Sequence, residues 1–152
     1  MALKEQINSD LKAALLGGDR FVADNLRNLK AAVLNEEVAS GKRESGLDDS
    51  EVETVIAREV KKRKESKALY EQNGRPELAE NEQKEIDVLS VYLPKQLTAD
   101  EIQSVIDDVI AGLGDVDMKA MGQVVGAVKA KVGTAADGAT VAQLVKSTLQ
   151  SK

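Results

Sequence analysis

The sequence predicts an all-α protein made of two helical parts. Apolar residues recur at intervals of three and four along most of the 152 residues, which is the spacing of one face of an α-helix. Aromatic residues make up only 2% of the chain, so the core must be aliphatic. Aliphatic cores favour packed helices over sheets. No segment of useful length alternates apolar and polar residues as a strand would.

The first two predicted helices form an antiparallel pair. The first ends at Gly17-Gly18. Asp19 caps the second, which runs to about Ser40 and stops at Gly41. The connection is short, so the two helices should lie side by side in opposite directions. The apolar stripes are Leu3, Ile7, Leu11 and Leu15 with Ala14 beside them, and then Val22, Leu26, Leu29 and Val33.

Residues 48–93 are predicted to form a long helical hairpin. Its first arm, of about 23 residues, would be roughly 35 Å long. The apolar stripe of this arm ends at Val60, and residues 61–67 contain no apolar side chain. Asn73-Gly74 marks the tip, and Pro76 suits the first turn of the returning helix. We therefore expect the distal half of the hairpin to bury little core and to project from the body.

Capping-box patterns mark three predicted helix starts. In this pattern the first side chain accepts a hydrogen bond from an amide three residues on, and the side chain there reaches back. The pairs are Asp48 with Glu51, Thr98 with Glu101, and Thr140 with Gln143. The second pair follows Pro94, which cannot continue a helix. The sequence thus predicts an N-terminal helical domain at 1–93, a linker at 94–97 and a three-helix domain at 98–152.

The C-terminal domain is predicted to hold three short helices. The first closes at Gly112-Leu113-Gly114, Asp117 caps the second, and a loop at 133–138 precedes the third. The apolar stripes are Ile102, Val105, Ile106, Val109 and Ile110; then Met118, Met121, Val125, Val128 and Val132; then Val141, Leu144, Val145 and Leu149.

The composition excludes several classes of site. The chain has no cysteine and no histidine, which removes Cys/His zinc sites, Ser-His-Asp triads and disulfides. We therefore predict no catalytic residue, no metal and no cofactor. No apolar run reaches the roughly 20 residues of a membrane span, so we expect no membrane partner and a cytoplasmic location. The net charge of -5 argues against a broadly basic nucleic-acid-binding surface but leaves room for a local one.

A basic run in the first arm of the hairpin is one candidate nucleic-acid contact. Residues 58–67 hold six cationic and two acidic side chains, a net charge of +4. The facing residues 77–87 hold one cationic and five acidic side chains, a net charge of -4. A salt-bridged scaffold is therefore favoured over phosphate contact, and no aromatic residue in the run offers a base a stacking surface. The candidate contacts are Arg58, Lys61, Lys62, Arg63 and Lys64.

A glycine pair in the second C-terminal helix is the other candidate. Each glycine inside a helix costs about 1 kcal/mol relative to alanine, so Gly122 and Gly126 need a reason. One reason is close packing of helices in the bundle, which the spacing alone favours. The other is close approach of a nucleic-acid backbone. Lys129, Lys131 and Gly133 follow, and these lysines either complement the helix dipole or contact phosphates.

Several motifs resemble those of the GatB/YqeY family, and the resemblance covers essentially the whole chain. They are Arg63-Lys64-Glu65-Ser66 with Tyr70-Glu71, Glu85-Ile86 with Leu89, Tyr92-Leu93-Pro94-Lys95-Gln96-Leu97, Met121-Gly122-Gln123-Val124-Val125-Gly126, and Gly133-Thr134-Ala135-Ala136-Asp137-Gly138. The stretch at 92–97 is the most specific. The position after Val124 is often Met in this family and is Val125 here, which keeps the apolar stripe.

The resemblance implies a helical N-terminal domain and a three-helix C-terminal domain. The latter is similar to the tail of GatB, a subunit of the glutamine-dependent aminoacyl-tRNA amidotransferase. In that enzyme the tail helps to recognise tRNA. The resemblance therefore implies that tRNA-backbone contacts are made by Gly122, Gly126, Lys129, Lys131 and Gly133. The large catalytic portion of GatB, with its metal and nucleotide sites, has no counterpart here, so catalysis does not carry over.

Three functions stay open at this point. We rank first a non-catalytic tRNA- or RNA-binding accessory protein related to tRNA-dependent amidation. The second is an adaptor whose hairpin docks on an amidotransferase or synthetase subunit. The third is a carbon–nitrogen ligase with glutamine as amido-N donor, which would need a Ser or Thr nucleophile. Ser66, Ser90 and Ser104 have no recognisable activating motif.

Overall fold

The computed structural model describes residues 2–151 and confirms the all-α fold. The described residues contain no strand. Seven α-helices are present in this part of the chain: α1 (Leu3–Leu16), α2 (Arg20–Ala39), α3 (Asp49–Gln72), α4 (Pro76–Ser90), α5 (Ala99–Leu113), α6 (Met121–Val132) and α7 (Gly138–Gln150). Short 3-10 turns at Met118–Ala120 and Gly133–Ala135 flank α6. The chain divides into two compact units, Met1–Leu93 and Pro94–Lys152, so residues 94–97 group with the second unit.

The first unit packs the α1–α2 pair against the base of the α3–α4 hairpin. As predicted, Asp19 caps α2: its Oδ1 accepts a hydrogen bond from the Val22 amide at 3.1 Å. The core is aliphatic and lies between the four helices. Its largest fully buried side chains are Ile7, Leu26, Leu29, Val52, Val55, Ile56 and Leu89.

One member of the predicted α1 stripe is not in this core. Leu15 is 48% exposed, whereas Ala14 is buried. A helix has 3.6 residues per turn, so residues spaced by four drift about 40° per step. Three such steps from Leu3 carry Leu15 off the buried face and bring Ala14 onto it. The prediction that Leu15 belongs to the buried stripe is wrong for this reason.

Buried Glu37 joins α2 to α1 and to the loop before α3. The Lys4 ammonium donates to Glu37 Oε2 at 2.6 Å, and the Leu47 amide donates to the same oxygen at 3.0 Å. These two hydrogen bonds hold the pKa of Glu37 below its ordinary value of 4.5. The carboxylate therefore stays ionised although only 4% of the residue is exposed to solvent.

Two further hydrogen bonds connect distant parts of the first unit. The Leu3 amide, at the start of α1, has no acceptor within its own helix and donates to Asp49 Oδ1 at 2.9 Å. The Tyr92 hydroxyl, just after α4, donates to Asp10 Oδ2 at 2.6 Å. Burial and the adjacent carboxylate raise the pKa of Tyr92 above its ordinary value, so the phenol remains a donor. Tyr92 thus fastens the end of the hairpin to α1.

The α3–α4 hairpin has the predicted tip and a nearly coreless distal half. Gly74 adopts φ +71°, and the chain re-enters a helix at Pro76. Among residues 61–85, only Ala79 is buried. Leu69 on α3 is 58% exposed. The expectation that this half buries little core is confirmed.

The second unit is a three-helix bundle in which α5, α6 and α7 contact one another. Its core comes mainly from valines and isoleucines, with Ile106, Val124, Val128, Val141 and Val145 fully enclosed. The predicted stripe of the second helix is shifted. Met118 is 40% exposed and Val125 half-buried, while Val124 is buried. Met118 lies in the 3-10 turn at Met118–Ala120, and α6 begins only at Met121, so the α-helical period does not extend back to Met118. Within α6 the buried face follows Val124, Val128 and Val132, and Val125 lies about 100° around the helix from Val124.

The three predicted capping boxes have three different outcomes. Thr98 and Glu101 form both hydrogen bonds, so that box is confirmed. Asp48 accepts from the Glu51 amide at 2.8 Å, but the Glu51 carboxylate pairs with Lys42 at 2.7 Å instead of reaching back.

The third capping box is wrong. Asp137 caps α7 and accepts from the Thr140 amide at 3.1 Å. The helix therefore starts at Gly138, which places Thr140 inside its first turn. In the predicted box, the side chain of Gln143 would accept a hydrogen bond from the Thr140 amide. The Asp137 carboxylate, three residues before Thr140, accepts from that amide instead.

Candidate nucleic-acid interface

Gly122 and Gly126 lie on the exposed side of α6. A Cβ atom built at either position would have open space around it, with no atom within 4 Å outside its own helical segment. The interpretation that these glycines allow close packing inside the bundle is therefore wrong for the described residues. The buried face of α6 is formed by Val124, Val128 and Val132, and the glycines point away from it. The spacing of the glycines does not indicate on which face of the helix they lie.

The glycines lie along one line on the exposed side of α6. Gly122, Gly126, Lys129 and Gly133 follow one another at intervals of four, three and four, so they lie along one line of the helix. Gly133 ends the helix with φ +54°, a conformation that favours glycine. With exposed Gln123 and Ala130 beside them, we call Gly122, Gln123, Gly126, Ala130 and Gly133 the small-residue face.

Lys129 borders this face and has a defined position. A Cβ atom on Gly138, the first residue of α7, would meet Lys129 Cε at 3.2 Å and Nζ at 3.3 Å. The lysine side chain therefore lies across the start of α7, and it can do so because residue 138 has no side chain. Sequence reasoning missed Gly138, since its role depends on two helices meeting in space.

Lys131 lies on the other border. At about 100° per residue it is roughly 180° around the helix from Gly122, so it does not share a line with Lys129. Its side chain is exposed, and Gln123, Ala130 and half-buried Ala127 lie between it and the glycines. The small-residue face is thus flanked by one lysine on each side. This arrangement fits a polyanionic backbone that approaches the helix closely.

The five secondary candidates on α3 have mixed surroundings. Arg58 pairs with Glu36 of α2 at 2.9 Å, and Lys62 pairs with Glu59 at 3.1 Å. Lys61 and Lys64 are exposed and form no ion pair among the described residues. The structure thus leaves two of these five cations available for an external anion.

Arg63 makes the one ion pair that joins the two arms within the described part of the hairpin. It contacts Glu59 at 3.3 Å on its own helix and Glu85 of α4 at 4.0 Å. Burial raises the pKa of Glu59, but hydrogen bonds from Lys62 and Arg63 hold it below the ordinary value overall. The cations of the first arm are therefore paired mainly with carboxylates of α3 itself, and less with those of α4 as the charge pattern predicts.

The family described as YqeY-like protein matches residues 4–149, a range that includes every candidate residue above. The chain belongs to the YqeY-like family. This confirms the resemblance to the GatB/YqeY family.

The chain is also similar to yeast proteins named "Altered inheritance of mitochondria protein 41, mitochondrial". The protein from Eremothecium gossypii is 31% identical over 87 residues, which are 57% of this chain and 46% of that protein. The protein from Vanderwaltozyma polyspora is 24% identical over 120 residues, 74% of this chain and 63% of that protein. This YqeY-like chain spans about half the length of the curated relatives that it matches first. Their names assign those proteins to mitochondria, and the cytoplasmic location expected here stays a prediction.

No helix among the described residues is long and apolar enough to cross a membrane. No group of three or more acidic side chains among them could hold a metal ion.

Proposed function

We propose that this YqeY-like protein is a non-catalytic accessory factor that binds tRNA through the small-residue face of α6. The observation that carries the proposal is the position of Gly122 and Gly126, which are exposed and make no contact that a side chain would disturb. Two interior glycines weaken a helix by about 1 kcal/mol each. Since the bundle does not use them for packing, an external surface that must come close to the helix backbone accounts for them.

The charges around the face support a phosphate partner. Lys129 and Lys131 flank it, and the side chains between them are small or uncharged. The whole chain carries -5, so a distant polyanion is repelled and only local contacts can hold it. Binding should therefore fall steeply with salt, because each neutralised phosphate releases counterions. The similarity of this domain to the tail of GatB favours tRNA as the polyanion.

The test measures binding of total tRNA to the full chain by fluorescence anisotropy at 50 mM and 200 mM salt. The Lys129→Ala/Lys131→Ala variant should bind at least tenfold more weakly at 50 mM salt and show a shallower salt dependence. The matched control removes two charges from the hairpin, as Lys61→Ala/Lys64→Ala. Equal loss in both variants would show that the basic charges act non-specifically, and loss in the control alone would transfer the site to α3.

Glycine variants separate this site from general electrostatics. Gly126→Leu adds a bulky side chain to the small-residue face without changing charge, and it should weaken tRNA binding about tenfold. Gly112→Leu is the control, because Gly112 is also an exposed helical glycine with open space around it. Unchanged affinity in Gly126→Leu would rule out close approach at this face.

A second candidate function is an adaptor that docks on an amidotransferase or synthetase subunit through the hairpin. It is favoured by the exposed Leu69 and by the near absence of buried side chains between residues 61 and 85. Binding to such a subunit that persists after deletion of residues 61–84 would contradict it.

Carbon–nitrogen ligase activity with glutamine as amido-N donor stays a prediction from the family association. A glutaminase assay on the purified chain, with and without tRNA, tests it.

A further inference from the structure

We infer that the groove between α1 and α2 binds an acidic amphipathic helix of a partner protein. The groove belongs to the first unit and does not rest on the proposed tRNA function. At its centre lies a cavity of about 340 Å³, floored by Ile7 and Val33 and walled by Lys4, Asn8, Lys30 and Leu34. This volume accommodates one or two large aliphatic side chains.

Exposed apolar side chains extend the groove beyond the cavity. On α2, Leu34 is 40% exposed and Val38, one turn on, is 61% exposed. On α1, Leu15 lies eleven residues after Lys4, about three turns along the same flank, and is also exposed. Because α1 and α2 are antiparallel, Leu15 and Val38 lie towards opposite ends of the groove. The apolar strip is therefore about 20 Å long, which suits a helix of about 14 residues.

The rim of the groove is basic. Lys12 continues the flank of Lys4 and Asn8 at an interval of four, and Arg27 precedes Lys30 on α2 by three. The carboxylates on this rim are Glu37, which Lys4 neutralises at 2.6 Å, Asp24, which Arg27 contacts at 3.6 Å, and exposed Glu5, two turns before Lys12 on α1. Lys12 and Lys30 are exposed and make no ion pair among the described residues. In a chain of net charge -5, these two unpaired lysines, one on each side of the groove, favour an acidic partner.

The two features together specify the partner's chemistry. An apolar strip takes leucine-like side chains at intervals of three and four, the spacing of one helix face. Cations on both sides of the strip attract Glu or Asp on the flanks of that face. A nucleic acid offers phosphates to the lysines but nothing to Leu15, Leu34 or Val38, so the apolar strip favours a protein helix.

The experiment uses the full chain and a labelled synthetic peptide of 14 residues, with leucines at intervals of three and four and glutamates on both flanks. Anisotropy titrations should show saturable binding, and the same peptide with lysines in place of the glutamates should bind at least tenfold more weakly. Leu34→Asp should weaken binding of the acidic peptide at least tenfold. Leu69→Asp, an exposed leucine outside the groove, should stay within twofold of the unmodified chain.

The charges are tested in the same titration. Lys12→Glu/Lys30→Glu should weaken peptide binding about tenfold, whereas Lys61→Glu/Lys64→Glu, with the same charge change on the hairpin, should not. Melting curves of each variant confirm that it folds.

Equal affinity of the two peptides, or no effect of Leu34→Asp, overturns the inference. So does a dimer in sedimentation equilibrium that Leu34→Asp converts to monomer, because a second copy then occupies the groove. A loss of tRNA affinity in Lys12→Glu/Lys30→Glu without peptide binding overturns it in favour of RNA.

Discussion

At the scale of single residues, buried polar contacts hold the first unit in one arrangement. Glu37 and Tyr92 each make hydrogen bonds between segments far apart in the sequence, and each is nearly enclosed. Such contacts add little net energy when formed but are costly to break, because the remaining partner is left unsatisfied. Neither partnership is visible in the sequence: Glu37 adjoins another Glu, and nothing local marks Lys4 or Leu47 as its donors.

Glu37→Gln should destabilise the first unit by about 2 kcal/mol at pH 7, because it removes a charged acceptor from two donors. The folded pKa of Glu37 lies below its ordinary value of 4.5. The charge therefore stabilises the fold fully above pH 4.5, and this contribution is lost as the pH falls through the folded pKa. Urea titrations at pH 7 and pH 3 should show the gap between Glu37→Gln and the unmodified chain shrinking at low pH. A pH-independent gap would mean that packing, rather than charge, carries the effect.

Tyr92→Phe should cost about 1–2 kcal/mol, since the hydroxyl donates to the Asp10 carboxylate and the ring stays buried. Asp10→Asn tests the same contact from the other side. The double variant should be no worse than about the larger single effect, because both changes remove one interaction. Additive losses in thermal melts would show that the two groups act independently.

At the scale of elements, the order of the helices and most of their starts were predictable, but the start of α7 and the direction of the buried face of α6 were not. The hairpin tip at Gly74 and the box at Thr98 depend on neighbours in sequence, and both were predicted. The start of α7 was misplaced because Asp137 and Thr140 both offer a cap, and only the structure shows which one is used. The outward direction of Gly122 and Gly126 likewise needed the location of the bundle core.

Replacing the two glycines of α6 with alanine should increase stability and weaken tRNA binding. Gly122→Ala/Gly126→Ala should raise the free energy of unfolding by up to about 2 kcal/mol, because both positions are helical with open space for a methyl group. The same variant should bind tRNA more weakly if the backbone must come close. Melting temperature and tRNA affinity measured on one preparation decide this. A variant that is less stable would contradict the open geometry at these positions.

At the scale of the whole molecule, the two units have separate cores. The prediction of two helical parts followed from Pro94 and from the change in composition after it. The candidate interface was predicted by residue identity, through Lys129 and its neighbours, but its shape was not. The position of Lys129 across Gly138 arises from tertiary packing, whereas the separation of Lys131 from the glycine line follows from the helical period alone.

A cavity created in the core of the second unit should destabilise that unit and leave the first unit unchanged. Ile106→Ala should cost about 2–5 kcal/mol, because Ile106 is fully buried in a unit with a small core. Amide hydrogen exchange on the full chain should show protection lost across α5–α7 and retained in α1–α4. Equal loss of protection in both units would show that they unfold as one.

The coreless distal half of the hairpin has a consequence for the lifetime of the protein among proteases. Backbone segments are cleaved when they open locally, and the free energy of opening is low where few apolar contacts must be broken. Residues 61–75 combine such weak burial with six lysines and arginines, the residues after which trypsin cuts, and only Arg75 is protected, by Pro76 after it. Limited trypsin digestion of the native chain should therefore cut first between residues 61 and 75, and mass spectrometry of the early fragments locates the cut. The segment that contributes least to the core is therefore also where degradation should begin.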